Sequence, residues 1–280
     1  MFTVVIPTHN RPEKLLRSVG SALEALKGRG NVIVVDDGSV PPVSDLCSFG
    51  PKVRLIRNEV SMGASAARNL GVALSSGDVV VFLDDDDVLN EGYIRRIQEI
   101  RNLEPRAKFG FSNYRILEAN GLVKGNIHRS GLASKRDKIE KRISGLGMGF
   151  WIERELFLDI GGLDVGMRID EDTDLCVRLA SFSHLPWRDT MAGTAIDRGC
   201  SERLTNATGN YIAAKAYFKT LQNNVESFDN WSAERFFLCF RAVKKCAKGN
   251  LREMGIHGVR LGGNLFFKIV LLMTYFRYRI

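Results

Sequence analysis

Short apolar runs alternate with helical patterns along the first hundred residues. Residues 3–6, 32–35, 53–56 and 79–83 are β-branched stretches of strand length. Between them, Leu15, Leu16, Val19, Leu23 and Leu26 recur at helical spacing after Pro12, and alanine-rich residues 64–74 and residues 93–103 predict two further helices. Strand, helix, strand repeats of this kind build a parallel sheet with helices on its faces. The pattern therefore predicts an α/β fold with a doubly wound, mostly parallel sheet.

The pattern is less regular from 108 to 147, where Phe109, Phe111 and Tyr114 suggest a strand and residues 130–141 read as a polar, charged loop. Residues 149–164 then read as a strand, a short helix and a glycine turn, and residues 170–180 as a helix. No internal repeat or low-complexity segment interrupts the chain.

Polar residues gather where the strands end. Thr8, His9 and Asn10 follow the first, Asp36, Asp37, Gly38 and Ser39 the second, and Asp84 to Asp87 the fourth. Open parallel sheets bind ligands at the carboxyl ends of their strands, so three clusters converge on one cleft. Each alone also suits a turn or a helix cap. Four adjacent aspartates, however, repel each other unless a cation sits among them, and they exceed what a helix dipole needs. Oxygen-only ligands suit Mg²⁺ or Mn²⁺.

Five elements occur in order: Val4-Val-Ile-Pro-Thr-His-Asn10, Val35-Asp-Asp-Gly-Ser39, Gly63-x-x-x-Ala67-Arg68-Asn69, Phe82-Leu-Asp-Asp-Asp86 and Glu171-Asp172-x-Asp174-Leu175. Together they resemble glycosyltransferase family 2, inverting enzymes of the GT-A fold, over roughly residues 1 to 200. The resemblance implies a transferase domain at 1–205, with a nucleotide-binding half at about 1–105 and an acceptor half at about 106–205. Residues 206–280 form a basic, apolar, helical C-terminal extension. It further implies a nucleotide-binding set of Pro7, Thr8, His9, Asp37, Arg68, Asp84 and Asp85. In that set Asp37 reads the base edge, His9 lies against the base where the family often has Tyr, Arg68 contacts the nucleotide and Asp84 takes the ribose. Asp85 and Asp86 would stand nearest a Mn²⁺ or Mg²⁺ cofactor, with Asp87 leaving the register open by one residue.

Inverting transfer needs a base for the acceptor hydroxyl while a metal neutralises the leaving diphosphate. By resemblance that base is Asp172, with Glu171 beside it. The neighbouring Asp170 and Asp174 make a cluster able to raise one carboxylate pKa, although acids in a first helical turn also suit the helix dipole. Arg198 and Arg203 lie in a glycine-containing segment able to fold over a diphosphate, since guanidinium forks bind phosphate oxygens. A solvated loop is the plainer reading of that segment.

The formal charge of +8 on 280 residues is confined to the end of the chain, because residues 231–280 carry ten Lys or Arg against Glu234 and Glu253. The rest needs no polyanionic partner, and without a recognition motif nucleic acid is not expected. In the tail, apolar residues such as Phe236, Leu238, Leu265, Ile269 and Leu272 interleave with the cations. That composition suits peripheral contact with a membrane surface, or ordinary packed helices. Leu265 to Phe276 is too short and contains Lys268, so no spanning helix is expected. Five cysteines without a C-x-x-C pair suggest a reducing compartment, and no leader precedes the first strand. The expectation is a cytoplasmic enzyme, peripheral on the inner membrane face, using a nucleoside-diphosphate sugar (UDP favoured) and a glycan or lipid-linked acceptor. A silent nucleotide-sugar-binding scaffold and a sugar-nucleotide pyrophosphorylase are the alternatives. The second would carry a glycine-rich loop where this chain has Pro7-Thr-His-Asn-Arg-Pro12.

Overall fold

Central strands that are buried on both faces read as continuous apolar runs, and the alternation of side chains then sorts them between two layers. In the computed structural model, which describes residues 1–44, 46–117, 123–124, 127–134, 142–167, 169–182, 184–197, 209–224, 233–262 and 264–279, this sorting is complete around β1 (Phe2–Thr8) and β2 (Gly30–Asp37). Val4, Ile6, Val32 and Val34 join Leu15, Val19 and Leu26 of α1 (Pro12–Leu26) and Ile94, Ile97 and Ile100 of α3 (Tyr93–Leu103) in one core. On the other face Ile33 and Val35 meet Ala67 of α2 (Ala64–Ala73). Pro12 sits in the first turn of α1, where its missing N–H costs nothing.

The chain divides into two compact units. The first, Met1–Asp137, Ser144–Gly166 and His184–Ser201, contains the sheet. Its strand order is β3, β2, β1, β4, β9, β6, β10, β5, with β3 at Val53–Asn58, β4 at Val79–Phe82, β5 at Val88–Leu89, β6 at Phe109–Ile116, β9 at Trp151–Glu153 and β10 at Trp187–Ile196. Strands β1 to β4 are parallel, β9 runs antiparallel between β4 and β6, and β6 and β10 are parallel again. Short strands β7 (Val123–Lys124) and β8 (Gly131–Leu132) pair antiparallel with β6 and β10, and α4 (Arg154–Asp159) follows β9. The mostly parallel, doubly wound α/β expectation is met.

Details differ from the pattern reading, the short strands β5 and β7 among them. Residues 131–132, read as loop, are strand, and β10 was not anticipated. Its Trp187-Arg-Asp-Thr-Met run lacks alternation because a buried acid, Asp189, stands in the strand, held by Arg96 Nε at 2.8 Å and Trp187 Nε1 at 3.2 Å. Register shifts between Asp189 and Thr194 break the period of two as well.

The second unit, Lys138–Ile143, Met167–Ser183 and Glu202–Ile280, is helical. It contains α5 (Glu171–Ser181), α6 (Asn210–Asn223), α7 (Ala233–Lys248), α8 (Arg252–Leu261) and α9 (Leu265–Arg279). Its core brings Val177 of α5 together with Tyr217, Phe218 and Leu221 of α6, Leu238, Ala242 and Val243 of α7, and Leu271 and Tyr275 of α9. Much of the apolar content of the tail is thus internal. Among the described residues, no helix is long and apolar enough to cross a membrane.

Candidate active site

At the carboxyl ends of β1, β2 and β4, the three polar clusters form one hydrogen-bonded assembly. Thr8 Oγ1 donates to Asp85 Oδ2 at 2.7 Å, joining the end of β1 to the turn after β4. Ser18 of α1 fastens the same turn from below, donating to the carbonyls of Asp85 (2.9 Å) and Asp87 (2.6 Å). Pro7 is buried at the penultimate position of β1, where its lack of an N–H is tolerated in the run-out of the strand.

His9 is exposed, and its orientation is fixed by what each ring nitrogen meets. The carbonyl of Asp37 can only accept, so Nδ1 donates to it at 2.7 Å, and Nε2 accepts from Asn10 Nδ2 at 3.0 Å. Asn10, in the left-handed region at φ 56°, also receives Val40 N–H on Oδ1, while its own N–H binds Ser39 Oγ. The loops after β1 and β2 are therefore clipped together.

The adjacent aspartates Asp36 and Asp37 do different work. Asp36 is buried, accepts the amides of Ser39 and Val43, and pairs with Arg57. Asp37 takes four donors from the segment leading into α2: Asn58 Nδ2 (2.7 Å), Ser61 Oγ (2.8 Å), Met62 N (2.9 Å) and Gly63 N (2.8 Å). Burial alone would raise both carboxyls, but these hydrogen bonds outweigh it and hold both below the ordinary value. Gly38 is required between this pair and the loop: its φ is +74°, and a Cβ there would meet Ser61 N at 2.6 Å.

The turn after β4 leaves Asp84 half-buried and buries Asp85, Asp86 and Asp87. Guanidinium groups stand among them. Arg68 Nη2 lies 2.7 Å from Asp84 Oδ1, and Arg11 Nη1 lies 3.3 Å from both Asp85 Oδ1 and Asp86 Oδ2. Arg17 Nη2 donates to the Asp86 carbonyl at 2.8 Å and to Asp197 at 3.0 Å, and Lys14 reaches Asp197 at 3.3 Å. Asp87 Oδ1 accepts the Asp197 amide, which fastens the turn to the end of β10. Burial pushes the Asp85 carboxyl up to about 6 against the Thr8 hydrogen bond and the Arg11 charge; burial and then the Asp84 charge raise Asp86. Opposite, Gly147 runs so close that a Cβ would stand 2.8 Å from Asp84 Oδ2 and 3.4 Å from Asp87 Oδ2.

Arg11, Lys14, Arg17 and Gly147 were not singled out in the sequence. The first three recur every three residues, Arg11 just ahead of α1 and Lys14 and Arg17 on one face of it, and that spacing was the available signal. Gly147 carried none. Among the described residues no group of three or more His, Cys, Asp or Glu side chains is arranged to hold a metal alone. Mg²⁺-like ions are held by one or two carboxylates and finish their shell with water and phosphate oxygens. Asp85 and Asp86, hard donors dehydrated by burial and facing a shared guanidinium, fit such an ion chemically. A hollow of about 420 Å³ lined by Lys27, Arg29, Glu91, Gly92 and Arg95 lies beside the amino end of β2, away from this chemistry.

In the second unit the acids group differently. Asp170 precedes α5 in the left-handed conformation, φ 58°, and accepts Tyr217 Oη at 3.4 Å. Tyr217 Oη in turn accepts Arg241 Nη2 at 2.7 Å and Nε at 3.0 Å. Burial raises the Asp170 carboxyl in spite of the Arg241 charge and the Tyr217 bond. Glu171 and Asp172 are half-buried in the first turn, where Asp172 Oδ1 accepts Thr173 N–H at 2.6 Å. Asp174 is fully buried against Arg178, 2.7 Å away. Arg198 and Arg203 lie outside the described residues.

A glycosyltransferase of Haemophilus influenzae is 30% identical over 182 residues, 64% of this chain and 62% of that protein. The Escherichia coli UDP-Glc:alpha-D-GlcNAc-diphosphoundecaprenol beta-1,3-glucosyltransferase WfgD is 27% identical over 129 residues, 44% of this chain and 49% of its own. This chain thus spans less than two thirds of either relative. Staphylococcus aureus TarS 1-349, solved in complex with UDP-GlcNAc, superposes with a TM-score of 0.75 at 12% identity, covering 99% of this chain and 89% of that one, and so shares its fold. The family model for glycosyl transferase family 2 matches residues 3–155, more than half the chain and all three strand ends at which the aspartates and guanidiniums meet. The chain belongs to glycosyltransferase family 2.

Proposed function

We propose that this protein is a metal-dependent inverting glycosyltransferase that moves a sugar from a nucleoside-diphosphate donor, uridine favoured, to a glycan or lipid-linked acceptor in bacterial polysaccharide, lipopolysaccharide or lipid-linked glycan synthesis. The observation that carries the reading is the joining of three strand ends by the Thr8–Asp85, His9–Asp37 and Arg68–Asp84 contacts. The uridine preference is supported by the UDP-GlcNAc held by TarS, and the lipid-linked acceptor by the diphosphoundecaprenol substrate in the name of WfgD.

In this reading Pro7, Thr8 and His9 line the base and ribose, and Asp37, which the resemblance sets at the base edge, already takes four protein donors and so braces the loop through Gly63 alongside the base. Arg68 holds Asp84 ready for the ribose, and Asp85 and Asp86 hold Mn²⁺ or Mg²⁺. When bound, the cation neutralises charge on the leaving diphosphate. Arg11, which faces both carboxylates, gives way or turns toward phosphate oxygens, which guanidinium groups bind bidentately. Asp172 takes the proton from the acceptor hydroxyl, with Glu171 adjacent.

The test is release of nucleoside diphosphate from a UDP-sugar that requires both Mn²⁺ and an acceptor. Pyrophosphate release would replace this reading with a pyrophosphorylase, and donor binding without turnover would replace it with a silent scaffold. A sharper check comes from Gly147. Gly147→Ala sets a methyl against the Asp84 carboxylate, so donor KM should rise roughly tenfold with the melting temperature within a few degrees of the parent, because Asp84 is near the surface and can swing away. An unchanged KM would remove Asp84 from the donor site.

A further inference from the structure

The last helix of the second unit has an apolar face that its own core does not use. Leu265, Ile269, Leu272, Met273 and Phe276 of α9 are 74%, 49%, 44%, 68% and 56% exposed. At about 100° per residue they fall within an arc of roughly 100°. Leu271, Thr274 and Tyr275, which are buried, occupy the opposite side. Lys268 and Arg277 stand roughly 90° to either side of the centre of the exposed stripe. The helix contains no acid.

At its carboxyl end Tyr278 lies opposite the stripe, about 170° from its centre. Lys244 and Lys248 of α7 and Arg277 of α9 gather around the Tyr278 ring, at 4.7, 5.8 and 5.9 Å from its centroid. We propose that α9 is a membrane-surface helix, lying in the plane of an anionic bilayer with the stripe from Leu265 to Phe276 in the headgroup region and Lys268 and Arg277 on lipid phosphates.

Three arguments fix this occupant. Fifteen residues span about 22 Å, short of the hydrocarbon thickness, and the opposite face is anchored by Leu271 and Tyr275, so the helix lies flat rather than crossing. Apolar side chains flanked by cations whose stems reach past them match the layering of an interface, where Lys and Arg extend toward headgroups. A second copy on the same stripe would bring the cations of one α9 against those of the other with no acid on either helix to offset them, whereas anionic lipid supplies the missing charge. The inference is independent of the transferase reading.

The test is flotation of the full chain with vesicles of phosphatidylcholine alone and of phosphatidylcholine mixed with phosphatidylglycerol, over a salt series. Binding to the anionic vesicles is expected, with weakening as salt rises and little binding to the neutral ones. Lys268→Gln with Arg277→Gln should lower affinity roughly thirtyfold, about fivefold per charge near an anionic surface. Leu272→Ser with Phe276→Ser should lower it at least about tenfold, and because both positions are exposed the melting temperature should stay near that of the parent. Failure of the full chain to bind anionic vesicles at low salt, or undiminished binding by the serine variant, overturns the proposal. So does a concentration-dependent dimer that the serine variant converts to monomer and vesicles leave intact, which would assign the stripe to a second copy.

Discussion

Turnover by the Asp172→Asn variant is expected to fall roughly 10²- to 10⁴-fold, the usual contribution of a positioned base, while donor binding is retained. Asparagine keeps the size of the side chain and an oxygen able to accept the Thr173 amide, so α5 should start as it does in the parent. What is lost is the capacity to take a proton. Steady-state kinetics together with a donor titration separate the two effects, because a purely structural defect would change donor affinity and melting temperature as well. Near-normal turnover would move the role to Glu171, in the same turn, or to Asp170. Asp170 is the poorer alternative on geometry: it is engaged by Tyr217, which Arg241 holds from the other side.

Asp86→Ala should weaken cation-dependent donor binding by at least about 10–100-fold, the loss seen even when outer-shell partners of metal ligands are removed. The metal-free protein should melt no lower than the parent. Asp86 is dehydrated and stands beside the Asp84 charge, so its carboxylate adds repulsion to the folded state, and its removal leaves Arg11 with Asp85 as a partner. The Arg17 bond goes to the main chain of residue 86 and survives the substitution. A thermal-shift series with UDP, with and without Mn²⁺, reads both effects at once, since a ligand that binds only the folded state raises its melting temperature. A UDP shift in the variant that still depends on Mn²⁺ as in the parent would exclude Asp86 as a ligand.

Much of the sheet was legible because β1, β2 and β4 are apolar runs ending in polar clusters, a pattern that parallel topology imposes directly. The aspartate run was legible for the same reason, since four acids after a buried strand demand an explanation. What surrounds them was not. Lys14 and Arg17 belong to a helix identified by its apolar face, with Arg11 just ahead of it, and nothing in the pattern says that the polar side of that helix meets residues 86 and 197, 69 and 180 positions further on from Arg17. The strand β10 was hidden by Asp189, whose burial depends on Arg96, a residue 93 positions away. In the tail, composition fixed neither reading, because the same apolar residues serve both: Leu238 and Leu271 are internal while Leu265 and Met273 face outward, and only the helical phase separates them.

The chain of contacts from Asp170 through Tyr217 to Arg241 bears on how such proteins diversify. Val177 of α5 shares a core with α6, α7 and α9, and the residue that starts α5 is tied to two of those helices. The acid-bearing helix is therefore a fragment that cannot be inherited apart from the C-terminal helices. A crossover near residue 206 would separate Asp170 from Tyr217 and Arg241, while one at Gly166 would part β10 from β6 and Asp189 from Arg96. Chimeras that exchange residues 138–143, 167–183 and 202–280 together, leaving β10 with its sheet, should give more soluble protein than chimeras made at either junction alone.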